Sequence, residues 1–286
     1  MSKIHLVAID LDGTLLNSAK QVTEASAAML RAARREAGVR IVLASARPPR
    51  TVMPFYQLLQ LDTPMINYNG ALVLDPPSGR IILHRPLSAR IARGVVALAR
   101  RKYPDVLVSG EILDRWYTDR LDPAYATETG KLVKPDLVAP TDQWLTEPVT
   151  KLLLLGRPER LLELARAIAR AYPRQLTIMK TDEQLLQICR ATVSKAKALR
   201  AVAGELGVAR HEVMAIGDND NDVEMLQWAG IAVAMGNATP AALAVADYVT
   251  DHHDADGAAN AIHRLIIQGL PRKKGPGTRG SGPAQP

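Results

Sequence analysis

The sequence contains few cysteines and few aromatic residues. Cys189 is the only cysteine among 286 residues, so no disulfide framework can stabilise the chain. Aromatic residues make up 4% of the sequence, and nucleic-acid binding by base stacking usually requires more of them. No apolar stretch reaches the roughly 18 residues of a membrane-spanning helix, and the early Asp10 argues against a secretory signal peptide. These absences predict a cytoplasmic protein that does not span a membrane.

The formal net charge is +7, and much of it lies at the C-terminal end of the chain. Residues 269–286 contain four basic residues and no acidic ones, which leaves +3 for the rest. This segment is rich in glycine and proline and has almost no apolar residues to bury, so we predict a disordered basic tail. The remaining charge is ordinary for a globular protein, and nucleic acid is therefore not an expected partner.

Two carboxylates follow the first apolar run of the chain. Residues 4–9 predict a buried parallel strand, which leads into Asp10 and Asp12, followed by glycine and threonine. Carboxylates at a buried strand end lose hydration, and a divalent cation would compensate for that loss. In open α/β sheets, ligands bind beyond the carboxyl ends of the strands. On its own, the motif also fits a polar Asp-Gly turn at a strand end.

A second acidic cluster follows another apolar run, at residues 213–216. Asp218, Asp220 and Asp222 lie within five residues, directly before a helical pattern. A single acid would suffice to cap the helix, so the density of carboxylates indicates binding of Mg²⁺ or Ca²⁺ through oxygen. The spacing differs from that of a helix–loop–helix calcium site, because no glutamate closes the loop.

The alternation of strand and helix patterns predicts an α/β protein. In residues 1–85 and 189–268 the alternation favours one discontinuous core with a Rossmann-like parallel sheet. Residues 86–188 differ, since two long amphipathic helical patterns, at 88–102 and 159–172, are surrounded by short strands. We interpret this part as an inserted α+β cap domain, which can cover a site at the carboxyl edge of the core sheet.

Two further residues are candidate anion ligands. Ser45 ends the apolar run at 41–44, where a hydroxyl and the following backbone amides can receive an anion. Lys195 opens a helical pattern, although the helix dipole disfavours a cation there, and a role in binding phosphate would explain it. The alternatives are a plain N-cap for Ser45 and a solvated surface position for Lys195.

Other chemical motifs are weak or absent. His252 and His253 lie between two aspartates and could bind a metal, but we favour a polar loop. Cys189 is expected to be a small buried apolar residue. The chain lacks the glycine-rich patterns of dinucleotide-binding and P-loop proteins.

Four motifs occur in one order along the chain: Asp10-Leu-Asp12-Gly-Thr, Ser45, Lys195 and Gly217-Asp218-x-x-Asn221-Asp222. This order resembles the haloacid dehalogenase-like hydrolase superfamily, in particular its Cof-type phosphatases, and the resemblance runs from residue 3 to about 268. Further segments similar to signatures of the subfamily are Asn67–Ala71, Met235–Ala238 and Asp254–Gly257. Leu43–Arg47 is similar to the family's second motif, which usually has threonine and glycine before the arginine. Here Ser45 and Ala46 stand in their places, and serine keeps the hydroxyl.

The resemblance implies a role for each residue of these motifs. Asp10 would be the nucleophile that forms an aspartyl-phosphate, and Asp12 the general acid and then the general base. Mg²⁺ would be held by the Asp10 carboxylate, the Asp12 backbone carbonyl and Asp218. Asp222 would either bind the ion directly or contact a group that does. The side chains that would hold phosphoryl oxygens are those of Ser45, Lys195 and Asn221. Metal contact would keep Asp10 ionised, while Asp12 can hold a proton.

The implied function is Mg²⁺-dependent hydrolysis of small phosphorylated metabolites, such as sugar phosphates, flavin mononucleotide or pyridoxal phosphate. One alternative is a phosphomutase, which would return the phosphoryl group to a sugar. Another is a non-catalytic protein that binds phosphorylated metabolites, although binding alone does not require Asp12. A nucleic-acid 3′-phosphatase is suggested only by the basic tail. The sequence indicates neither an individual substrate nor an oligomeric state.

Overall fold

The computed structural model describes residues 3–125, 130 and 133–269, and in this part of the chain the strands form three sheets. The strands are β1 Leu6–Ile9, β2 Arg40–Leu43, β3 Met65–Asn67, β4 Leu72–Asp75, β5 Arg80–His84, β6 Leu107–Ile112, β7 Arg115–Thr118, β8 Leu137–Val138, β9 Lys151–Leu155, β10 Leu176–Asp182, β11 Leu185–Arg190, β12 Val213–Gly217, β13 Ile231–Ala234 and β14 Tyr248–Val249. The α-helices are α1 Glu24–Ala37, α2 Pro49–Leu58, α3 Ala89–Lys102, α4 Thr141–Trp144, α5 Pro158–Ala171, α6 Lys195–Glu205, α7 Val223–Trp228, α8 Pro240–Val245 and α9 Gly257–Ile262.

The central sheet has the strand order β14-β13-β12-β1-β2, and all neighbouring strands are parallel. β1 lies inside this sheet and is buried on both faces. Its side chains alternate between the faces, so that Val7 and Ile9 join one apolar cluster and Leu6 and Ala8 join another. Residues of α1, α2 and α9 complete the first cluster, and residues of α6, α7 and α8 complete the second. The predicted α/β core with a parallel sheet is therefore confirmed.

Apolar runs at 64–67, 71–74 and 80–83 predict three further strands, and the structure contains them, but they do not all extend the parallel sheet. β3, β4 and β5 form a small antiparallel sheet. A parallel bridge between Ala44 and Ile66 links β3 to the end of β2. The connections between these three strands are short, and a parallel crossover requires a much longer one.

The inserted part of the chain forms a second large sheet with the order β10-β11-β9-β6-β7-β8. Its neighbouring strands are antiparallel, except that β7 and β8 are parallel. α3 and α5 cover one face through a buried cluster that includes Val95, Leu152 and Leu164. This is the predicted α+β insert, which we call the cap. Its boundaries at 86 and 188 stay a prediction, and β11 continues to Arg190.

Two helices begin or end differently from the prediction. The helical pattern of the sequence over 255–268 predicts a single helix there, but α9 ends at Ile262 and a π-helical turn follows over His263–Ile267. The helical pattern that follows the second acidic cluster predicts a helix over 220–228, and this segment starts with a 3₁₀ turn at Asp220–Asp222 before α7. In this second case the Asp222 carboxylate accepts hydrogen bonds from preceding backbone amides, which tightens the first turn.

Three predictions concern the rest of the chain. None of the helices in the described ranges is both long and apolar enough to cross a membrane. The predicted basic tail at 269–286 lies outside the described residues from position 270 onwards. Cys189 is buried, as predicted, and burial raises the pKa of its thiol to about 11, so the thiol stays protonated at neutral pH.

Candidate active site

Both acidic clusters lie at the carboxyl edge of the central sheet. β1 and β12 are parallel neighbours with Ile9 opposite Ile216, so the residues that follow these strands emerge side by side. The backbone amide of Asp10 donates a hydrogen bond to the carbonyl of Ile216 at 3.1 Å. The two motifs, which are about 200 residues apart in sequence, therefore meet at one place, as the strand pattern predicts.

Lys195 lies between two carboxylates in the protein interior. Its Nζ is 2.5 Å from Asp10 Oδ1 and 2.6 Å from Asp222 Oδ1, and its side chain is fully buried. Burial alone would lower the pKa of Lys195, but the charges of the two carboxylates raise it above its usual value. Lys195 is consequently a fixed positive charge beside the predicted nucleophile. A solvated surface position for this lysine is excluded.

Asp10, Asp218 and Asp222 form a cluster that can hold a metal ion. One carboxylate oxygen from each lies within 4.8 Å of the others, and all three residues are buried. Burial raises the pKa of Asp10, and Lys195 counteracts part of that rise. Three buried carboxylates with one lysine retain excess negative charge, which a divalent cation bound through oxygen would offset. The donor set therefore fits a divalent metal.

The three carboxylates differ in how many hydrogen bonds they already accept. Asp222 Oδ1 contacts Lys195, and its Oδ2 accepts hydrogen bonds from the amides of Asp218 and Asn219 at 3.2 and 3.1 Å. Asp218 Oδ1 accepts a hydrogen bond from Thr14 Oγ1 at 2.8 Å. Among the described residues, no donor reaches the Oδ2 atom of Asp10 or of Asp218. These two oxygens are the best placed to bind a cation.

Gly13 is required by the close approach of the first acidic loop to the second. It has a φ of 81°, in the left-handed region, and a Cβ atom there would lie 2.3 Å from Asp218 Oδ2. Any side chain would therefore displace the carboxylate or the loop.

Asp12 faces away from this cluster and is paired with basic residues. Its carboxylate accepts hydrogen bonds from Arg47 Nε at 2.7 Å, from Arg47 Nη2 at 2.6 Å and from Lys20 Nζ at 2.9 Å. Burial alone would raise the pKa of Asp12, but Arg47 and Lys20 together lower it below the usual value. In this arrangement Asp12 is ionised, which differs from the expectation that it holds a proton. The bidentate Arg47 pair is the reason for the difference.

Ser45 and Asn221, the other predicted phosphate ligands, lie at the same edge. Ser45 is buried after β2, and its Oγ accepts a hydrogen bond from the Arg47 amide at 3.1 Å, which leaves the hydroxyl proton available. Asn221 is exposed, and its Nδ2 donates a hydrogen bond to Asn69 Oδ1 at 2.9 Å.

Sequence reasoning assigned no role to several residues of this site. Arg47 and Lys20 bind Asp12, Thr14 donates a hydrogen bond to Asp218, and Asn69 accepts one from Asn221. Arg47 and Thr14 lie within the motifs that resemble the family, so the sequence could have indicated a role for both. Asn69 also lies in a segment similar to a signature of the subfamily, whereas Lys20 is brought in only by the three-dimensional fold.

The histidines near the C-terminal end of the core form a polar loop. His252, His253 and Asp254 lie close enough together to hold a metal. However, both Asp254 oxygens accept hydrogen bonds from Ser18, and His253 Nδ1 lies 2.9 Å from the carbonyl of Leu16. The contacts favour the polar loop that the sequence analysis preferred.

Comparison with known proteins gives consistent matches over nearly the whole chain. The profile of one family, described as haloacid dehalogenase-like hydrolase, matches residues 7–262. The chain is 32% identical over 273 residues to the putative phosphatase YxeH of Bacillus subtilis, covering 92% of this chain and 98% of that protein. It is 28% identical over 270 residues to the 5-amino-6-(5-phospho-D-ribitylamino)uracil phosphatase YitU of the same species, covering 91% and 97%.

Solved structures show the same similarity. A haloacid dehalogenase-like hydrolase from Bacteroides thetaiotaomicron superimposes with a TM-score of 0.84 at 28% sequence identity. The match covers 92% of this chain and 100% of that one, so it includes both the core and the inserted part.

Proposed function

We propose that this chain, which belongs to the haloacid dehalogenase-like hydrolases and is a phosphoric monoester hydrolase, acts on small phosphorylated metabolites with Mg²⁺ and through an aspartyl-phosphate. The observation that carries the proposal is the pairing of buried Asp10 with Lys195 at 2.5 Å, beside the carboxylate of Asp218. A site for binding alone does not need a second acid such as Asp12 two positions from the first. The candidate substrates are sugar phosphates, flavin mononucleotide and pyridoxal phosphate. Relatives named as phosphatases of 5-amino-6-(5-phospho-D-ribitylamino)uracil and of pyridoxal phosphate support small phosphorylated metabolites as the substrate class.

In the first step, Asp10 attacks the phosphorus atom and the bond to the leaving oxygen breaks. Lys195, the Ser45 hydroxyl and the Asn221 amide hold the phosphoryl oxygens, where negative charge is redistributed. Asp12 gives its proton to the leaving oxygen. A Mg²⁺ ion held by Asp10, Asp218 and the Asp12 backbone carbonyl would offset the repulsion between carboxylate and phosphate.

In the second step, a water molecule attacks the phosphorus atom and releases Asp10. Asp12, now a carboxylate, accepts the proton of that water. The ionised form of Asp12 that Arg47 and Lys20 stabilise is the form that this step requires. The first step needs a protonated Asp12, so we propose that substrate binding weakens its contact with Arg47. We propose that Asp222 holds Lys195 and the acidic loop in place rather than binding the metal directly.

The proposal is tested by measuring phosphate release from a panel of phosphorylated metabolites. We expect activity with Mg²⁺, none in excess EDTA, and recovery when Mg²⁺ is restored. Asp10→Asn should abolish turnover while the protein remains folded, since the amide is a poor nucleophile. Asp142→Asn, an exposed acid on α4, is the matched control and should retain activity. Full activity in EDTA or in the Asp10 variant would contradict the mechanism, and dependence on a bisphosphate activator would indicate a phosphomutase.

A further inference from the structure

A strained turn follows β3 and has no role in the mechanism so far. Three consecutive residues, Tyr68, Asn69 and Gly70, have φ values of 52°, 57° and 97°, all in the left-handed region. This region is unfavourable for a bulky residue such as Tyr68, whereas asparagine adopts it more readily. Such a conformation persists only where surrounding contacts hold it. The contacts on the two sides of this turn therefore indicate what it is for.

On the core side, the turn touches the segments that carry the proposed phosphate ligands. The amide of Asn69 donates a hydrogen bond to the Ser45 carbonyl at 3.0 Å, and Asn69 Oδ1 accepts one from Asn221 Nδ2 at 2.9 Å. Gly70 packs so closely on the residue before Lys195 that a Cβ atom would lie 2.4 Å from the Ser194 carbonyl oxygen. One turn thus contacts the loops of Ser45, Asn221 and Lys195.

On the other side, the turn reaches the cap through the side chain of Tyr68. This ring is buried, and its hydroxyl donates a hydrogen bond to the Leu113 carbonyl at 2.8 Å and lies 3.2 Å from Glu111 Oε2. Lys151 places its ammonium group 5.0 Å from the centre of the ring. Leu113, Glu111 and Lys151 all belong to the cap, so the Tyr68 side chain spans the junction between the two parts of the molecule.

The cap contact is a buried charge pair. Glu111 is 2% exposed and accepts hydrogen bonds from Arg50 Nη2 at 2.9 and 2.7 Å, and Arg50 lies in the first turn of α2 in the core. The backbone amide of Arg50 also donates to Asp114 of the cap at 2.9 Å. Moving the cap away would leave the buried Glu111 carboxylate without its partner, which is strongly unfavourable. The pair therefore favours one position of the cap against the core, in which we call the cap seated.

We propose that Tyr68 and Asn69 are positioning residues that align the Asn221 amide with the phosphoryl group when the cap is seated. This inference rests on the proposed phosphatase function. Asn221 is exposed, and among the described residues its side-chain hydrogen bond goes to Asn69. Asn69 takes its orientation from the strained turn, and the Tyr68 hydroxyl ties that turn to the cap. The seated cap thereby completes the phosphate site without contacting the phosphate.

The test is a double-mutant cycle in the full chain, with p-nitrophenyl phosphate and Mg²⁺. Tyr68→Phe removes only the hydroxyl, and Asn69→Gly removes the amide while suiting the left-handed backbone. Each variant should lower kcat about fivefold with KM changed less than about twofold, because alignment in the transition state is lost. The double variant should also lose about fivefold, rather than the product of about 25-fold, because both residues act through Asn221.

Tyr103→Phe is the matched control. It removes a tyrosine hydroxyl that donates to Glu163 at 2.5 Å on the cap surface, and it should leave kcat unchanged. Multiplicative losses in the double variant would show that the two residues act independently and would overturn the proposal. An unchanged kcat in Tyr68→Phe with a lowered melting temperature would overturn it as well. If the wild-type protein itself releases no phosphate from any substrate, the phosphatase proposal fails instead.

Discussion

Asp10 and Asp12 are two positions apart, yet the fold gives their side chains opposite surroundings. Asp10 enters the buried cluster with Lys195 and Asp218, whereas Asp12 turns to Arg47 and Lys20. The first surroundings suit a nucleophile that must approach an anion. The second stabilise a carboxylate that can take a proton from water. The division of roles proposed here follows from these different partners.

Asp12→Asn should separate substrates by their leaving groups. The amide keeps the shape of the side chain but cannot donate a proton as an acid does, so kcat/KM for alkyl phosphates, which reports the first step alone, should fall about a hundredfold or more. With p-nitrophenyl phosphate, whose leaving group needs little protonation, the fall should be clearly smaller. Steady-state kinetics with both substrates measure the difference. The control is Asp62→Asn, at an exposed acid paired with Arg34 at 2.8 Å; equal losses on both substrates in Asp12→Asn would contradict the assignment.

Lys195→Met should destabilise the fold as well as abolish activity. The substitution leaves Asp10 and Asp222 buried without their shared cation, which costs about 3–5 kcal/mol of unfolding free energy. Urea denaturation measures this loss. Lys197→Met, at an exposed position two residues later, should change stability by less than about 0.5 kcal/mol. Similar stability of both variants would show that the Lys195 pair contributes little.

At the scale of elements, the loop after β1 leaves no room for a side chain at Gly13. Gly13→Ala should weaken metal-dependent activity strongly, because its Cβ would lie 2.3 Å from Asp218 Oδ2. Gly38→Ala is a fitting control, since Gly38 also has a left-handed φ, of 68°, but nothing lies within 4 Å of its Cβ position. Mg²⁺ titrations of phosphate release compare the two. If both variants need the same Mg²⁺ concentration as the wild type, the close approach does not matter for the metal site.

Sequence patterns predicted the strands and helices well where the spacing of apolar residues directly reflects which side chains are buried. The all-apolar run of β1 and the acids after it predicted both a central strand and a site at its end. An apolar run does not specify its partner, so the runs alone did not predict the antiparallel pairing of β3 with β4. The short connection between these strands was the signal that could have predicted it. The Asp12–Arg47 pair and the contact of Tyr68 with Glu111 arise from how elements distant in sequence pack, which residue spacing does not encode.

At the scale of the whole molecule, the junction between core and cap contains a titratable group. His84 Nε2, at the end of β5, lies 2.9 Å from the Thr150 hydroxyl, which itself accepts a hydrogen bond from the Leu113 amide at 2.8 Å. The Thr150 hydroxyl can therefore donate its proton to His84 Nε2. Only a neutral imidazole has a ring nitrogen that can accept this hydrogen bond. Burial lowers the pKa of His84 below its usual value.

This junction should make stability depend on pH in a defined direction. A lowered histidine pKa stabilises the folded protein above the unfolded value of about 6.5, and this contribution is lost as the pH falls. The melting temperature of the wild type should therefore fall more between pH 7.5 and pH 5 than that of His84→Gln. His211→Gln, at an exposed histidine, should follow the wild type. Identical pH dependence in all three proteins would exclude His84 as a contributor.

The central claim is that Asp10 carries the phosphoryl group between substrate and water. The most direct measurement is the mass of Asp12→Asn after brief incubation with p-nitrophenyl phosphate and Mg²⁺, acid quenching and peptide mapping. The good leaving group allows the first step, and loss of the base slows the second, so we predict one added phosphoryl group on the peptide that contains Asp10. Absence of any adduct during continuing turnover, or an adduct on another residue, would contradict the account.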